Sequence, residues 1–268
     1  MSSGVRARRV LVLFSGPADR WDGIAAYLRE QNVQVDEVDI VNRAMINQDV
    51  VDDIAWEVWK AALAAGMYYF LFCGTPCETF SHARQKQPGP PPLRSVEHPR
   101  GIPSLAGKLK EQVRTGNLFV CRTAEACTII HNVGGGFAIE NPRRWGKEPS
   151  LFAMEEIVEL AGKTGARTVD LDQCCYGAVA TKPTTLLYKG ADFADLARRC
   201  HHPPQRWTKP DGGEHWAPHE PIVGRRNADG QWATKALGAY PADFNWELAK
   251  RIAAAAPSRG VVLTPARA

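Results

Sequence analysis

Two side chains able to do covalent and proton chemistry stand at the ends of apolar runs. Cys77 lies in FLFCGTPCETFSHAR (residues 70–84), just past the apolar run 67–72 and the break Gly74-Thr75-Pro76. A short apolar run bounded by breakers reads as a buried strand. Its C-terminal tip is where open α/β sheets present their ligand crevices, and a thiol there, once ionised, is a nucleophile. Pro76 fixes its own φ and biases Thr75 toward extended backbone, so the thiol is aimed. The plainer alternative is a small buried apolar residue, the common fate of a free cysteine. Glu140 closes a second run, FAIE, ahead of Asn141-Pro142. A carboxyl so placed can carry a proton, or can simply cap a helix or face water.

The elements that must hold these groups follow from periodicity. Residues 10–14 (VLVLF) read as a buried strand and Ser15-Gly16-Pro17 as a turn. Residues 21–30 follow as a helix with Ile24, Ala25 and Leu28 on one face, then 33–40 (VQVDEVDI) as a strand with acids near its end. This βαβ opening suits a nucleotide-like ligand whose ribose hydroxyls bond the acid; an ordinary strand–helix turn reads the same way. Further helices are expected over 47–65, 109–131 (interrupted at Gly116-Asn117), 150–164 and 240–255, the last with Leu248, Ile252 and Ala253 inward. Further strands are expected over 168–174 and 184–188. The alternation predicts an α/β body with a mostly parallel sheet and helices on both faces. Residues 1–9 read as a basic lead-in. Residues 81–107 lose periodicity and read as a long loop, of a length that is usually functional or disordered. From Ser81 to Arg114 seven Lys and Arg face two acids, so the local excess is larger than the +4 of the whole chain. Such charge beside Cys77 could hold a polyanion there, or could be a solvated loop.

A chain of 268 residues allows one large domain or a domain with a small appendage. No apolar run nears the roughly 18 residues of a membrane span. The basic N-terminal stretch leads straight into a strand-like run, without the apolar core and cleavage site of a signal peptide. We therefore expect no membrane partner and a cytoplasmic location, or a nuclear one in a eukaryotic host. Seven cysteines, an odd number without a small secreted framework, read as reduced thiols.

GTPCETFS, FAIENP and VLVLFSG resemble the nucleophile, glutamate and cofactor motifs of the DNA cytosine-C5 methyltransferases, and their order along the chain matches. YGAVATKPTTLL resembles that family's later Tyr-Gly motif and the Gln-x-Arg-x-Arg beyond it. GPPPLRSVEHPRG and LDQCCYG resemble a compact branch found in phages and mobile elements. The resemblance spans residues 8–190, and more weakly 234–256. It implies a Rossmann-like S-adenosylmethionine-dependent methyltransferase fold with a small irregular insert. The catalytic domain would occupy 1–189 and the insert 190–234, with a C-terminal helical segment, 235–268, returning to the catalytic domain.

The implied reaction is methyl transfer from S-adenosylmethionine to C5 of cytosine in DNA. Cys77 would add at C6 as a thiolate favoured by nearby positive charge. Glu140 would contact N3 and the exocyclic amine and donate a proton from a carboxyl whose pKa burial raises. Phe14 would lie against the adenine, with Ser15 and Gly16 allowing backbone to approach the methionine part and Pro76 bordering the cofactor. Asp39 would be the ribose acid, with Asp36 or Glu37 as alternatives. Asp49 resembles the acid at the adenine amine, and equally fits a helix N-cap. Asn141 and Pro142 would fix the Glu140 backbone at the substrate. Arg84 and Arg94 would meet phosphates from a lid, 81–107, that starts at Ser81 and covers an extruded base. The protein would act as a monomer on DNA, with RNA or another transferred group as rivals, and a nucleic-acid-binding protein with a decayed pocket as a third reading.

Two features depart from the family. Aligned on Tyr176-Gly177, its two arginines fall at Lys182 and Thr184, and lysine supplies a cation without a planar fork. The large target-recognition domain is missing, and only the insert 190–234 can replace it. That insert carries Cys200, His201, His202, His215 and His219. Cys200, His202, His215 and His219 could hold a structural zinc in a segment too small for its own core; a His- and Trp-rich surface loop is the alternative. Trp207, Trp216 and Trp232, with Arg198, Arg199, Arg206, Arg225 and Arg226, could stack on bases and bind phosphates, or form a satellite apolar cluster.

Overall fold

The structure is a computed structural model that describes residues 8–86, 89–208 and 212–257. Most of the basic lead-in and the end of the C-terminal segment lie outside the described residues. So do two residues of the 81–107 loop and three of the insert.

A six-stranded sheet runs in the order β2 (Gln34–Val38), β1 (Arg9–Leu13), β3 (Phe70–Cys73), β4 (Gly136–Pro142), β6 (Pro183–Lys189), β5 (Arg167–Asp172). β6 is antiparallel to both of its neighbours; the other pairings are parallel. The central strands are apolar on both faces, as buried parallel strands must be. Leu11, Leu13, Leu71 and Ile139 enter one core with α2 (Asp53–Ala64), α3 (Gly107–Asn132) and α4 (Glu155–Thr164). Val10, Val12, Phe70 and Phe72 enter the other with α1 (Ile24–Glu30) and α5 (Ala242–Ala254). Each fully buried Leu or Phe contributes roughly 1.5–3 kcal/mol, so two cores fed by alternate residues of the same strands hold the sheet's centre rigid. α5 is tied down by polar bonds as well: Tyr69 Oη donates to the Ile252 carbonyl (3.0 Å) and Asn245 Nδ2 to that of Asp22 (2.9 Å).

Register fixes what stands at the sheet's C-terminal edge. Leu13 pairs with Val38 and with Cys73, and Cys73 with Ile139. The next residues along these strands are Asp39, Phe14, Gly74 and Glu140, so four separate segments deliver neighbouring groups to one edge.

Several expected boundaries move. Helix α2 begins at Asp53, not 47, because Asp52 caps it by accepting from Ala55 N (2.8 Å). Helix α3 runs unbroken through Gly116-Asn117. A Cβ at Gly116 would stand 2.9 Å from Thr79 Oγ1 and 3.0 Å from Arg94 Nη2, so this glycine serves close packing and does not end the helix. The helix expected from 150 starts at Glu155, after a short turn at Leu151–Ala153. The insert contains a two-stranded ribbon, β7 (Gln205–Thr208) and β8 (Glu214–Ala217). Among the described residues no helix is long and apolar enough to cross a membrane.

Candidate active site

Cys77 follows β3 on a loop clamped from two sides. Asn141 Nδ2, at the end of β4, donates to the Thr75 carbonyl (2.8 Å), and the Thr75 hydroxyl bonds that of Thr123 on α3 (3.0 Å). Phe80 N donates to the Cys77 carbonyl (2.9 Å) and closes the turn. Both Thr75 and Asn141 are buried, so the half-buried thiol is held by interior contacts.

Glu140 is 6% exposed, and both of its oxygens are gripped. Tyr240 Oη, from the residue before the Pro241 cap of α5, donates to Oε2 (2.7 Å). Gln173 Nε2 donates to Oε1 (3.3 Å) and to Thr184 Oγ1 (3.0 Å). Lys182 Nζ stands over the Tyr240 ring, 4.8 Å from its centre, on a backbone held at φ 38°. Gly74 makes room: a Cβ there would lie 2.9 Å from Tyr240 Oη.

The groups feel each other's charge. Burial first, then the Glu140 carboxylate, push the Cys77 thiol up to about 11, while Lys182 pulls it down. Burial and Glu140 likewise hold Tyr240 protonated far above the ordinary phenol range. The expected thiolate favoured by surrounding cations is therefore corrected. In this arrangement one cation is outweighed by burial and a carboxylate, and the sulfur keeps its proton.

At the neighbouring strand tips, Phe14 leaves β1 at φ 60° and packs edge-on against Phe119 (5.1 Å). The Ser15 hydroxyl donates to the Gly16 carbonyl (3.0 Å). Gly16, at φ 73°, faces open space, and its N–H donates to Asp39 Oδ2 (2.9 Å). Asp39 Oδ1 accepts from Val41 N (3.0 Å). Each carboxylate oxygen keeps a further lone pair, so half-exposed Asp39 can accept ribose hydroxyls. The alternatives are engaged elsewhere: Asp36 pairs with Arg9 (2.7 Å) and accepts from Tyr68 Oη (2.6 Å), and Glu37 pairs with Arg29 (2.6 Å). Asp49 is no N-cap; it accepts from Val51 N (2.8 Å) in a local turn. Pro76 is half-buried in the loop before Cys77.

The basic loop differs most from expectation. Arg94 is 1% exposed and reaches no solvent phosphate. It donates to Thr79 Oγ1 (3.0 Å), the Pro99 carbonyl (2.5 Å) and Asn117 Oδ1 (2.7 Å), with Phe80 4.0 Å beneath it. Arg84 donates to the carbonyls of Glu78 (2.6 Å) and Pro91 (2.9 Å), so it staples the loop to itself. Ser81 caps the short turn His82–Gln85 by accepting from Ala83 N (3.3 Å). Arg100 pairs with Glu156 (2.7 Å) and Arg114 with Glu111 (3.0 Å). Four of the seven cations are thus used within the fold, while Lys86, Lys108 and Lys110 are exposed.

In the insert, Cys200, His202 and His219 come together, but their fourth neighbour is Cys174. His215 lies on the β7–β8 ribbon opposite Trp207, outside the cluster. Most of the insert's cations are matched at home: Arg199 to Asp170 (3.2 Å), Arg206 to Glu214 (3.0 Å), Arg225 to Glu220, and Arg226 over Trp232 (4.0 Å). Trp207 Nε1 donates to the Ala217 carbonyl (3.0 Å), whereas Trp216 is 65% exposed.

Sequence reasoning missed Gln173, Tyr240, Thr123 and Cys174. For Gln173 and Cys174 the signal was LDQCCYG, which stood out without suggesting roles. Tyr240 carried none beyond preceding a helix-capping Pro.

No protein-family model matches the chain, and no curated protein matches it. Among solved structures, one similar chain is an E. coli prophage protein described as a candidate DNA modification methyltransferase, at 16% identity and a TM-score of 0.32. The match covers 67% of this chain and 45% of that one, so the chain spans less than half of that protein's length. A likeness so slight carries no weight for activity, and the functional reading rests on the site itself.

Proposed function

We propose that the protein methylates C5 of cytosine in DNA, using S-adenosylmethionine and a transient bond between Cys77 and C6 of the base. The observation that carries this reading is the convergence of Cys77, Glu140 and Lys182 at one sheet edge, beside Gly16 and Asp39. The strand order supports it too: a parallel sheet with one antiparallel strand next to its end agrees with the fold the motifs imply.

At rest the Cys77 sulfur keeps its proton. Moving it to Glu140 arms both groups. The thiolate adds to C6, and the carboxyl gives its proton to N3 as the ring's electrons shift, leaving C5 enamine-like. Neutralising Glu140 also removes the charge that raises the thiol's pKa, so protonation of one group favours ionisation of the other. S-adenosylmethionine, when bound, supplies the electrophilic methyl that C5 takes. A base then removes the C5 proton, the S–C6 bond breaks, and Glu140 recovers the N3 proton. Tyr240 and Gln173 keep the carboxyl pointed throughout, and Lys182 offers a cation beside the base. Asp39 would hold the ribose, Phe14 the adenine, and Gly16 the methionine end. A base in a duplex must be extruded to reach this site.

The raised thiol favours one rival, a nucleic-acid-binding protein without catalysis. Incubation of the full chain with methyl-labelled S-adenosylmethionine and cytosine-containing DNA should yield 5-methylcytosine. Cys77→Ser should abolish the product. Product formation unchanged in Cys77→Ser would overturn the assignment, and tight DNA binding with no product would favour the rival.

A further inference from the structure

We propose that Cys174, Cys200, His202 and His219 form a structural zinc site that fastens the insert to the turn carrying Gln173. The four ligand atoms lie within 4.8 Å of one another, and no other such group occurs among the described residues. Cys200 Sγ is 3.5 Å from His202 Nδ1 and 3.4 Å from His219 Nε2. Zn–S bonds of about 2.3 Å and Zn–N bonds of about 2.05 Å at tetrahedral angles place S and N about 3.6 Å apart. The side chains therefore stand at coordination spacing already. Two thiolates would neutralise the ion, and a Cys₂His₂ set suits zinc in a closed site.

The position gives the site a purpose. Cys174 belongs to the short turn Gln173–Tyr176 that ends β5, while the other three ligands come from the insert. Backbone bonds already draw the two together: Asp172 N donates to the Arg198 carbonyl, and Cys200 N to Asp172 Oδ2, each at 2.8 Å. Beyond Cys200 the described insert offers one short ribbon and little buried apolar surface, so a metal is the staple a segment of this size needs. Gln173, directly before Cys174, donates to Glu140. A metal at Cys174 would brace the support of Glu140. The zinc site stands or falls independently of the proposed reaction.

The full chain, purified reduced and without chelators, should contain about one zinc per molecule. Metal-free protein titrated with cobalt(II) should show tetrahedral ligand-field bands with thiolate charge transfer. Cys174→Ser and His219→Ala should lose the metal, whereas His201→Ala and His215→Ala should keep it. Chelation should speed proteolysis within 190–234 by about tenfold or more, since metal binding is folding free energy there. Metal-free reduced protein that gives no tetrahedral cobalt spectrum would overturn the proposal. Retention of zinc by Cys174→Ser with loss in His215→Ala would overturn the ligand set.

Discussion

Replacing Glu140 by Gln should make Cys77 more reactive, although both residues serve the same proposed reaction. The thiol stands at about 11 because of burial and, second, the Glu140 carboxylate. Losing one like charge near the sulfur, at an effective dielectric of about 20, is worth roughly 2 kcal/mol, or about thirtyfold in thiolate population. A less basic thiolate is a weaker nucleophile, which returns roughly half of that gain on a logarithmic scale. The net expectation is alkylation of Cys77 about fivefold faster at neutral pH, with the midpoint of its pH profile below about 11. Mass spectrometry resolved by peptide separates Cys77 from exposed Cys121. Lys182→Met should change the rate in the opposite direction, since Lys182 favours the thiolate. Unchanged or slower alkylation in Glu140→Gln, at an unchanged melting temperature, would refute the electrostatic coupling and with it the proton transfer.

Three further outcomes follow from the packing and the strand tips. Gly116→Ala should destabilise by about 1 kcal/mol in thermal unfolding: the ordinary helical gain of about 1 kcal/mol is outweighed by crowding against Thr79 and Arg94. Arg94→Met should lower stability by about 2 kcal/mol, roughly 5 °C, and leave DNA affinity unchanged at constant salt. Loss of affinity at unchanged stability would restore Arg94 to the phosphate role. Asp39→Ala should weaken S-adenosylmethionine binding about tenfold or more in calorimetry, whereas Asp36→Ala should leave it intact, because its carboxylate serves Arg9 and Tyr68.

The chain announces its strand tips clearly. Apolar runs cut by Gly, Pro and Asn mark where β3 ends and where β4 turns polar two residues before its own end, and so mark Cys77 and Glu140. Parallel register then brings Asp39, Phe14, Gly74 and Glu140 side by side, which follows once the strands pair in that order. What stays hidden in sequence is the use of each polar group. Arg94 reads like any basic loop residue, yet its donors all turn inward, because Gly116 lets the loop pack against α3. Gly116 looks like a helix break for the same reason: its role depends on a neighbour distant in sequence. Tyr240 meets Glu140 across a long sequence separation, and only the docking of α5 onto α1 brings it there. His215 sits near the other histidines in sequence, but the ribbon register takes it away while β5 brings in Cys174. Periodicity locates elements, and long-range packing decides which side chains meet.

The account's central claim is that Cys77 attacks the base that Glu140 holds. DNA carrying 5-fluorocytosine tests it most directly, because fluorine at C5 cannot leave as a proton and the adduct persists. With S-adenosylmethionine present, the protein should form a denaturation-resistant complex whose cross-linked peptide contains Cys77, and Glu140→Gln should form it more slowly despite its more reactive thiol. An adduct at another cysteine, or none from protein that binds both DNA and cofactor, would contradict the account.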